Sequence, residues 1–322
     1  MNLDYKILWI EDDSDFIDSL NKDVFINHIN SEGFTPDVTY RVNHEDIISR
    51  VDGEKYDLIV VDYNITEDGI SGGDVIRSIR DDSSLTEVIF YSGNSITKLR
   101  EIAADKELEG VFFSSRDNDA LPRKVCDVFD LTVRKVLDIN NMRGIVMAEV
   151  ADLDHQLSDL IQQIYLTLGE ESRPIHHRKM FMRIVPDVRA IKSLVDDDCS
   201  DINKLIKEIK KKLDVINLKD LAQLIGSRSF DSSKRVESLV GLCKLNEVLN
   251  NERQLLDNIK NTLLWRNALA HQRPLLVDGQ WQFTLKEGQN EFFNQEQARL
   301  LRHKLQEHRN LLRDISSKIM AG

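Results

Sequence analysis

Cysteine is scarce in this 322-residue chain, and its three copies, Cys126, Cys199 and Cys243, are odd in number and far apart. That spacing suggests neither a disulfide framework nor a zinc site. No apolar run reaches the roughly 18 residues that a membrane-spanning helix needs, and the polar N-terminus carries no secretory leader. The expectation is a cytoplasmic protein with no membrane partner. Internal repeats and low-complexity segments are missing too. No helix-turn-helix with a basic recognition helix stands out, which argues against a DNA-binding transcription factor. Aromatic side chains able to stack on single-stranded nucleic acid are sparse, with Trp265, Trp281 and Phe283 the candidates beside the basic stretches.

Charge is present in quantity and unevenly placed. Residues 1–130 hold 13 Lys and Arg against 29 Asp and Glu, a net −16, while residues 131–322 hold 30 against 26, a net +4. At about 100 to 200 residues per domain, the length fits two domains. The pattern divides the chain into an N-terminal domain over 1–130, a helical connector over 131–170 and a C-terminal domain over 171–322. The acidic part suits cation binding, and the mildly basic part leaves nucleic acid open as a partner without demanding it.

Three apolar runs in the acidic part each end in an acid or a hydroxyl. Ile7–Ile10 runs into Glu11, Asp12 and Asp13, Leu58–Val61 into Asp62, and Val88–Tyr91 into Ser92. Short, β-branched, continuously apolar runs read as strands buried on both faces. A fourth, Val111–Phe113, follows Gly110. Helical spacing fills the gaps: Phe16, Leu20 and Val24, then Val75, Ile76 and Ile79, then Leu99, Ile102 and Ala103. Strand alternating with helix predicts an α/β doubly wound parallel sheet, whose ligands lie beyond the carboxyl ends of its strands. Carboxylates crowded at that rim repel one another unless a hard cation such as Mg²⁺ neutralises them.

These residues resemble the receiver domain of two-component response regulators, a flavodoxin-like fold, over residues 4 to about 130. The resemblance implies that Glu11 and Asp12, with Asp13 as an alternative, join Asp62 and the Asn64 carbonyl in holding Mg²⁺. It implies that Asp62 accepts a phosphoryl group from a cognate histidine kinase or phosphotransfer protein, and that the Ser92 hydroxyl swings towards it. One position departs from the family: Ser114 stands where a lysine usually follows the fifth strand. Arg116, two residues on, could reach the same space, although a guanidinium fork meets phosphate differently from an ammonium. A receiver switched by phosphate and one switched by a partner both remain open.

Beyond the acidic part, Ile139, Met142, Val146, Val150, Leu153, Leu157, Leu160, Ile164 and Leu168 form a seam at spacings of three and four. Such a seam packs in a bundle or pairs with a second copy. His155 lies off the seam, as a solvated side chain or a phosphotransfer histidine. Helices are expected over Ile175–Val195, Ile202–Leu213, Leu218–Ile225, Lys234–Leu249, Glu252–His271 and Gln295–Ile319, with loops at Asp196–Asp198 and Gly226–Ser233. Between Pro274 and Gly288 an Asp-Gly pair flanked by strand-like residues predicts a small β-hairpin in an otherwise all-α region.

Arg266, Asn267 and His271, near the end of one such helix, resemble the R-x(4–6)-H motif of HEPN domains, which are all-helical, usually dimeric and often metal-independent ribonucleases. The resemblance implies His271 as general base, Arg266 as stabiliser of phosphate charge and Asn267 as an orienting group. It also implies a homodimer and a role in stress or phage defence. Positions five apart lie roughly 140° around a regular helix, so Arg266 and His271 do not share one face of it. They meet only through a long side chain, a tightened last turn or a second copy. A polar network without catalysis is the other reading. On the last helix Arg299, Arg302, Lys304, Arg309 and Arg313 form a basic stripe, expected to be a solvated face rather than an RNA track. The whole reads as a response regulator with an RNA-cleaving output, or one whose receiver controls oligomerisation or protein docking.

Overall fold

The structure is a computed structural model that describes residues 3–42, 55–65, 71–81, 85–136, 139–193, 200–212, 218–227, 229–286 and 289–321. The chain folds as two compact units, Met1–Ile145 with Ala298–His303, and Val146–Gln297 with Lys304–Gly322.

In the first unit the apolar runs become strands β1 (Asp4–Ile10), β3 (Leu58–Asp62), β4 (Glu87–Ser92) and β5 (Val111–Ser115). A further strand, β2 (Thr35–Arg41), has no counterpart in the expectation. It is the edge strand, half-exposed along its length, so its sequence TPDVTYR never shows the continuous apolar run of its neighbours. All pairings are parallel and the strand order is β2-β1-β3-β4-β5. That is the flavodoxin-like doubly wound sheet. Every residue of β3 is buried, so its carboxyl end, Asp62, lies at the centre of the rim.

Helices α1 (Ser14–Ser19), α2 (Asp23–Ser31), α3 (Gly72–Asp81), α4 (Ile96–Asp105) and α5 (Ala120–Val136) flank the sheet. The spacing of Phe16, Leu20 and Val24 suggests one helix where there are two. Leu20 is extended at φ −64°, ψ 138°, and the Asn21 N–H goes to the Asn118 carbonyl at 3.3 Å, which interrupts the helical ladder. Asp13 caps α1 by accepting from the Phe16 N–H at 3.1 Å, and Ser95 caps α4. Gly72 is fixed by close approach: a Cβ there would lie 1.9 Å from the Asp62 carbonyl oxygen, while its N–H donates to the Tyr63 carbonyl at 2.9 Å.

The second unit is helical. Its elements are α6 (Ile139–Thr167, from Val146 onward), α7 (Ser172–Ser193), α8 (Ser200–Lys212), α9 (Leu218–Ile225), α10 (Ser232–Cys243), a 3₁₀ turn (Glu247–Glu252), α11 (Arg253–His271) and most of α12 (Gln295–Ala321). The seam residues Val146, Val150, Leu153, Leu157, Leu160, Ile164 and Leu168 are all buried. The helix expected over Lys234–Leu249 stops at Cys243, and a 3₁₀ turn begins at Glu247. The loop expected at Asp196–Asp198 lies outside the described residues, as does Cys199.

The hairpin forms from β6 (Leu275–Val277) and β7 (Gln280–Lys286), and β8 (Gln289–Phe293) adds a third antiparallel strand. Asp278 at φ 50° and Gly279 at φ 76° supply the paired left-handed residues of a two-residue hairpin turn. The inner face of this sheet packs on α11. Trp265 lies 5.5 Å from Phe293 and 6.2 Å from Phe283 between ring centroids. Trp265 and Phe283 are therefore core residues and unavailable as stacking platforms, while Trp281 is partly exposed.

Candidate functional site

Doubly wound topology brings the carboxyl ends of β1, β3, β4 and β5 to one rim, and Glu11, Asp62, Ser92, Ser114 and Arg116 gather there. Glu11, Asp62 and Ser92 are buried, while Asp12 and Asn64 are exposed. Asp62 Oδ2 accepts from the Asn64 N–H at 2.7 Å. Its Oδ1 is buried with no hydrogen-bond partner among the described residues. Burial pushes the Asp62 carboxyl up to about 6, against the Asn64 bond and the Arg116 charge that favour the anion.

Glu11 is engaged at both oxygens. Oε2 accepts from the Tyr91 hydroxyl at 2.7 Å, and that hydroxyl accepts from the Trp9 indole N–H at 3.0 Å. Oε1 accepts from the Asp13 N–H at 3.1 Å and from Arg116 Nη2 at 3.1 Å. Burial first, then the charge of Asp62, pushes Glu11 up to about 7. Arg116 Nη2 also bonds Asp13 Oδ2 at 2.8 Å, and its guanidinium lies 4.3 Å from the Phe16 ring centroid, a cation–π distance.

Ser92 Oγ accepts from the Asn94 N–H at 3.1 Å and from its side-chain amide at 3.3 Å. The Ser92 carbonyl accepts the Arg116 N–H at 2.9 Å. β5 extends two residues further than the apolar run suggests, so Ser114 lies inside the strand, opposite Tyr91. Its hydroxyl donates to the Ser115 carbonyl at 3.2 Å. Arg116 is the first residue after the strand.

Among the described residues no three His, Cys, Asp or Glu side chains converge closely enough to hold a metal ion. The donor set nevertheless fits a hard cation at Asp62, whose Oδ1 is a buried, unpartnered oxygen.

In the second unit the structure does not unite Arg266 with His271. Arg266 reaches back from α11 to α10, where Nη2 donates to Ser232 Oγ at 2.9 Å. Ser232 donates to Asp154 Oδ2 on α6 at 2.6 Å, and Arg235 lies 3.4 Å from the same oxygen. This network ties α6, α10 and α11 together. His271 and Asn267 are exposed at the end of α11. His155 is exposed, as its place off the seam requires.

The basic stripe on α12 is not uniformly solvated. Arg302, which belongs to the first unit, is 1% exposed. Nε donates to the Glu32 carbonyl at 2.8 Å, and its guanidinium lies 4.9 Å from the Phe34 ring. Arg309, in the second unit, pairs with buried Glu149. The charge pattern of α12 conceals both because a guanidinium with a carbonyl or carboxylate partner tolerates burial.

No family model and no curated protein matches the sequence. Solved structures similar in arrangement include a CheY-like response regulator receiver domain protein from Methanospirillum hungatei JF-1, at 14% identity over 41% of this chain and 94% of that one, with a TM-score of 0.31. Full-length FixJ from B. japonicum is similar at 14% identity over 75% of this chain and 98% of that one, with a TM-score of 0.31. The response regulator StyR is similar at 12% identity over 68% and 97%, with a TM-score of 0.27.

Proposed function

We propose that this chain is a response regulator in which the first unit receives a phosphoryl group on Asp62 and the second unit delivers the output. The observation that carries the reading is Asp62 itself: a buried carboxylate at the carboxyl end of the central strand, with one oxygen unpartnered and Glu11, Ser92 and Arg116 around it. A histidine kinase or phosphotransfer protein is the donor. Asp62, Asp12 and the Asn64 carbonyl, with Glu11 when it is released, would hold Mg²⁺, which supplies charge neutralisation for an incoming phosphoryl group. Ser92 is the hydroxyl that meets the group. Arg116 takes the role of the missing lysine.

For the output, the network of Arg266, Ser232, Asp154 and Arg235 favours a docking or assembly module, because it commits the arginine to holding three helices together. The HEPN-like ribonuclease reading rests on His271 and Asn267, which face solvent and would act on RNA in a homodimer. Total RNA incubated with wild type and His271→Ala, each with and without Mg²⁺ plus beryllofluoride, separates the two. Mimic-dependent cleavage that His271→Ala abolishes establishes the ribonuclease. No cleavage, with a mimic-dependent mass change by light scattering, establishes the assembly module. Absence of any beryllofluoride effect that Asp62→Asn removes would sink the receiver reading.

A further inference from the structure

The acidic rim already contains a cation. Arg116 is the first residue after β5 and is placed by its backbone N–H on the Ser92 carbonyl. From there its guanidinium is held by Glu11 at 3.1 Å, Asp13 at 2.8 Å and the Phe16 ring at 4.3 Å. We propose that Arg116 is the resident counter-cation of this cluster and that a divalent metal ion competes with it, drawing Glu11 into its coordination only when the guanidinium leaves. The proposal deepens the receiver reading and rests on it for the kind of ion.

Exposed Asp12 and the unpartnered oxygen of Asp62 are there for a metal, whereas Arg116 closes Glu11 and Asp13 to it. Mg²⁺ demands near-octahedral oxygen coordination and commonly takes one or two carboxylates plus waters. Glu11 has both oxygens occupied, by Tyr91 on one side and by Arg116 and the Asp13 N–H on the other. Asp13 is occupied by Arg116 and by the Phe16 N–H. The buried oxygen left open at this rim is Asp62 Oδ1. Removing the guanidinium frees one lone-pair direction on Glu11 and one on Asp13 and leaves the carboxylates of Glu11, Asp12, Asp13 and Asp62 uncompensated, which is the arrangement that draws in a divalent ion. The aromatic seat makes the arginine side chain a built fixture: Phe16 projects from α1, the helix that Asp13 caps.

The test is a Mg²⁺ titration of the full chain by calorimetry, in wild type, Arg116→Gln and Phe16→Leu. Trp9 fluorescence is followed in parallel, since Trp9 bonds the hydroxyl that bonds Glu11; Trp9→Phe identifies its contribution among the three tryptophans. Charge-assisted contacts of this kind lead us to expect about tenfold tighter Mg²⁺ binding in Arg116→Gln and about two- to threefold in Phe16→Leu, which loosens the guanidinium without touching a ligand. If Arg116→Gln folds only when Mg²⁺ is supplied, the proposal is equally supported. Equal or weaker binding than wild type in both variants, or no binding in any of them, overturns it. The receiver reading fails separately: tighter binding in the variants with no beryllofluoride uptake at Asp62 leaves the competition intact and removes phosphorylation. Uptake in wild type without tighter binding in the variants does the reverse.

Discussion

Asp62 is kept in an unfavourable place for a carboxylate. Burial dominates its environment and lifts the group to about 6, above the ordinary aspartate value near 4. A folded-state value above the unfolded one means that the native state binds the extra proton between roughly pH 4 and 6. Stability from this group is therefore fully present at the acid end of that window and is lost as pH rises through it. Asp62→Asn removes the buried charge, so it should raise unfolding stability at pH 7.5 by roughly 2 kcal/mol and flatten the pH dependence between 4 and 7. Urea denaturation at several pH values measures both. A variant that is less stable than wild type at pH 7.5 would contradict this picture of the site.

At the scale of elements, α7 carries two adjacent histidines against α6. His176 and His177 are each 1% exposed, with the Tyr165 ring 5.2 Å from His177 between centroids. Burial, then the neighbouring positive charges, holds the His176 imidazole down to about 3. A depressed histidine is buried neutral, so its contribution is complete above about pH 6.5 and is lost as pH falls towards 3. On α12, His308 behaves alike at about 4, with its Nε2 2.9 Å from the Thr262 hydroxyl. We expect the helical unit to lose about 2 kcal/mol for each of His176 and His308 between pH 7 and pH 5. His176→Leu should remove its share of that slope, followed by circular dichroism melts. A slope unchanged in the variant would show that His176 does not carry it.

Over the whole molecule, each of the two compact units has its own buried core and its own polar network. Arg266→Ala strands Ser232 and Asp154 in a part-buried network, and losing charge-assisted bonds of that kind costs about 1–3 kcal/mol. Hydrogen exchange should show reduced protection in α10 and α11, with β1, β3 and β4 unchanged. His271→Ala, at an exposed helix end, should leave protection as it was. If His271→Ala loosens the unit as much as Arg266→Ala, His271 is structural and the ribonuclease reading goes with it.

The parallel sheet was legible in the sequence because strands buried on both faces must be continuously apolar, and the acids at their ends mark where that burial stops. The edge strand β2 was not, since one side of it meets water and its pattern carries no such run. The hairpin turn was legible from Asp278 and Gly279, which tolerate left-handed backbone; β8, with an exposed Gln-Asn-Glu start, was not. Residue identity named Glu11, Asp62, Ser92 and Arg116 as one group. Only the tertiary structure decided that Arg116 rests on Glu11 rather than Asp62, that Arg266 turns to Ser232 instead of His271, and that Arg302 is buried. The physical reason is the same in each: an arginine side chain is long enough to reach partners several ångströms apart, and only the folded backbone decides which of them lie within its reach.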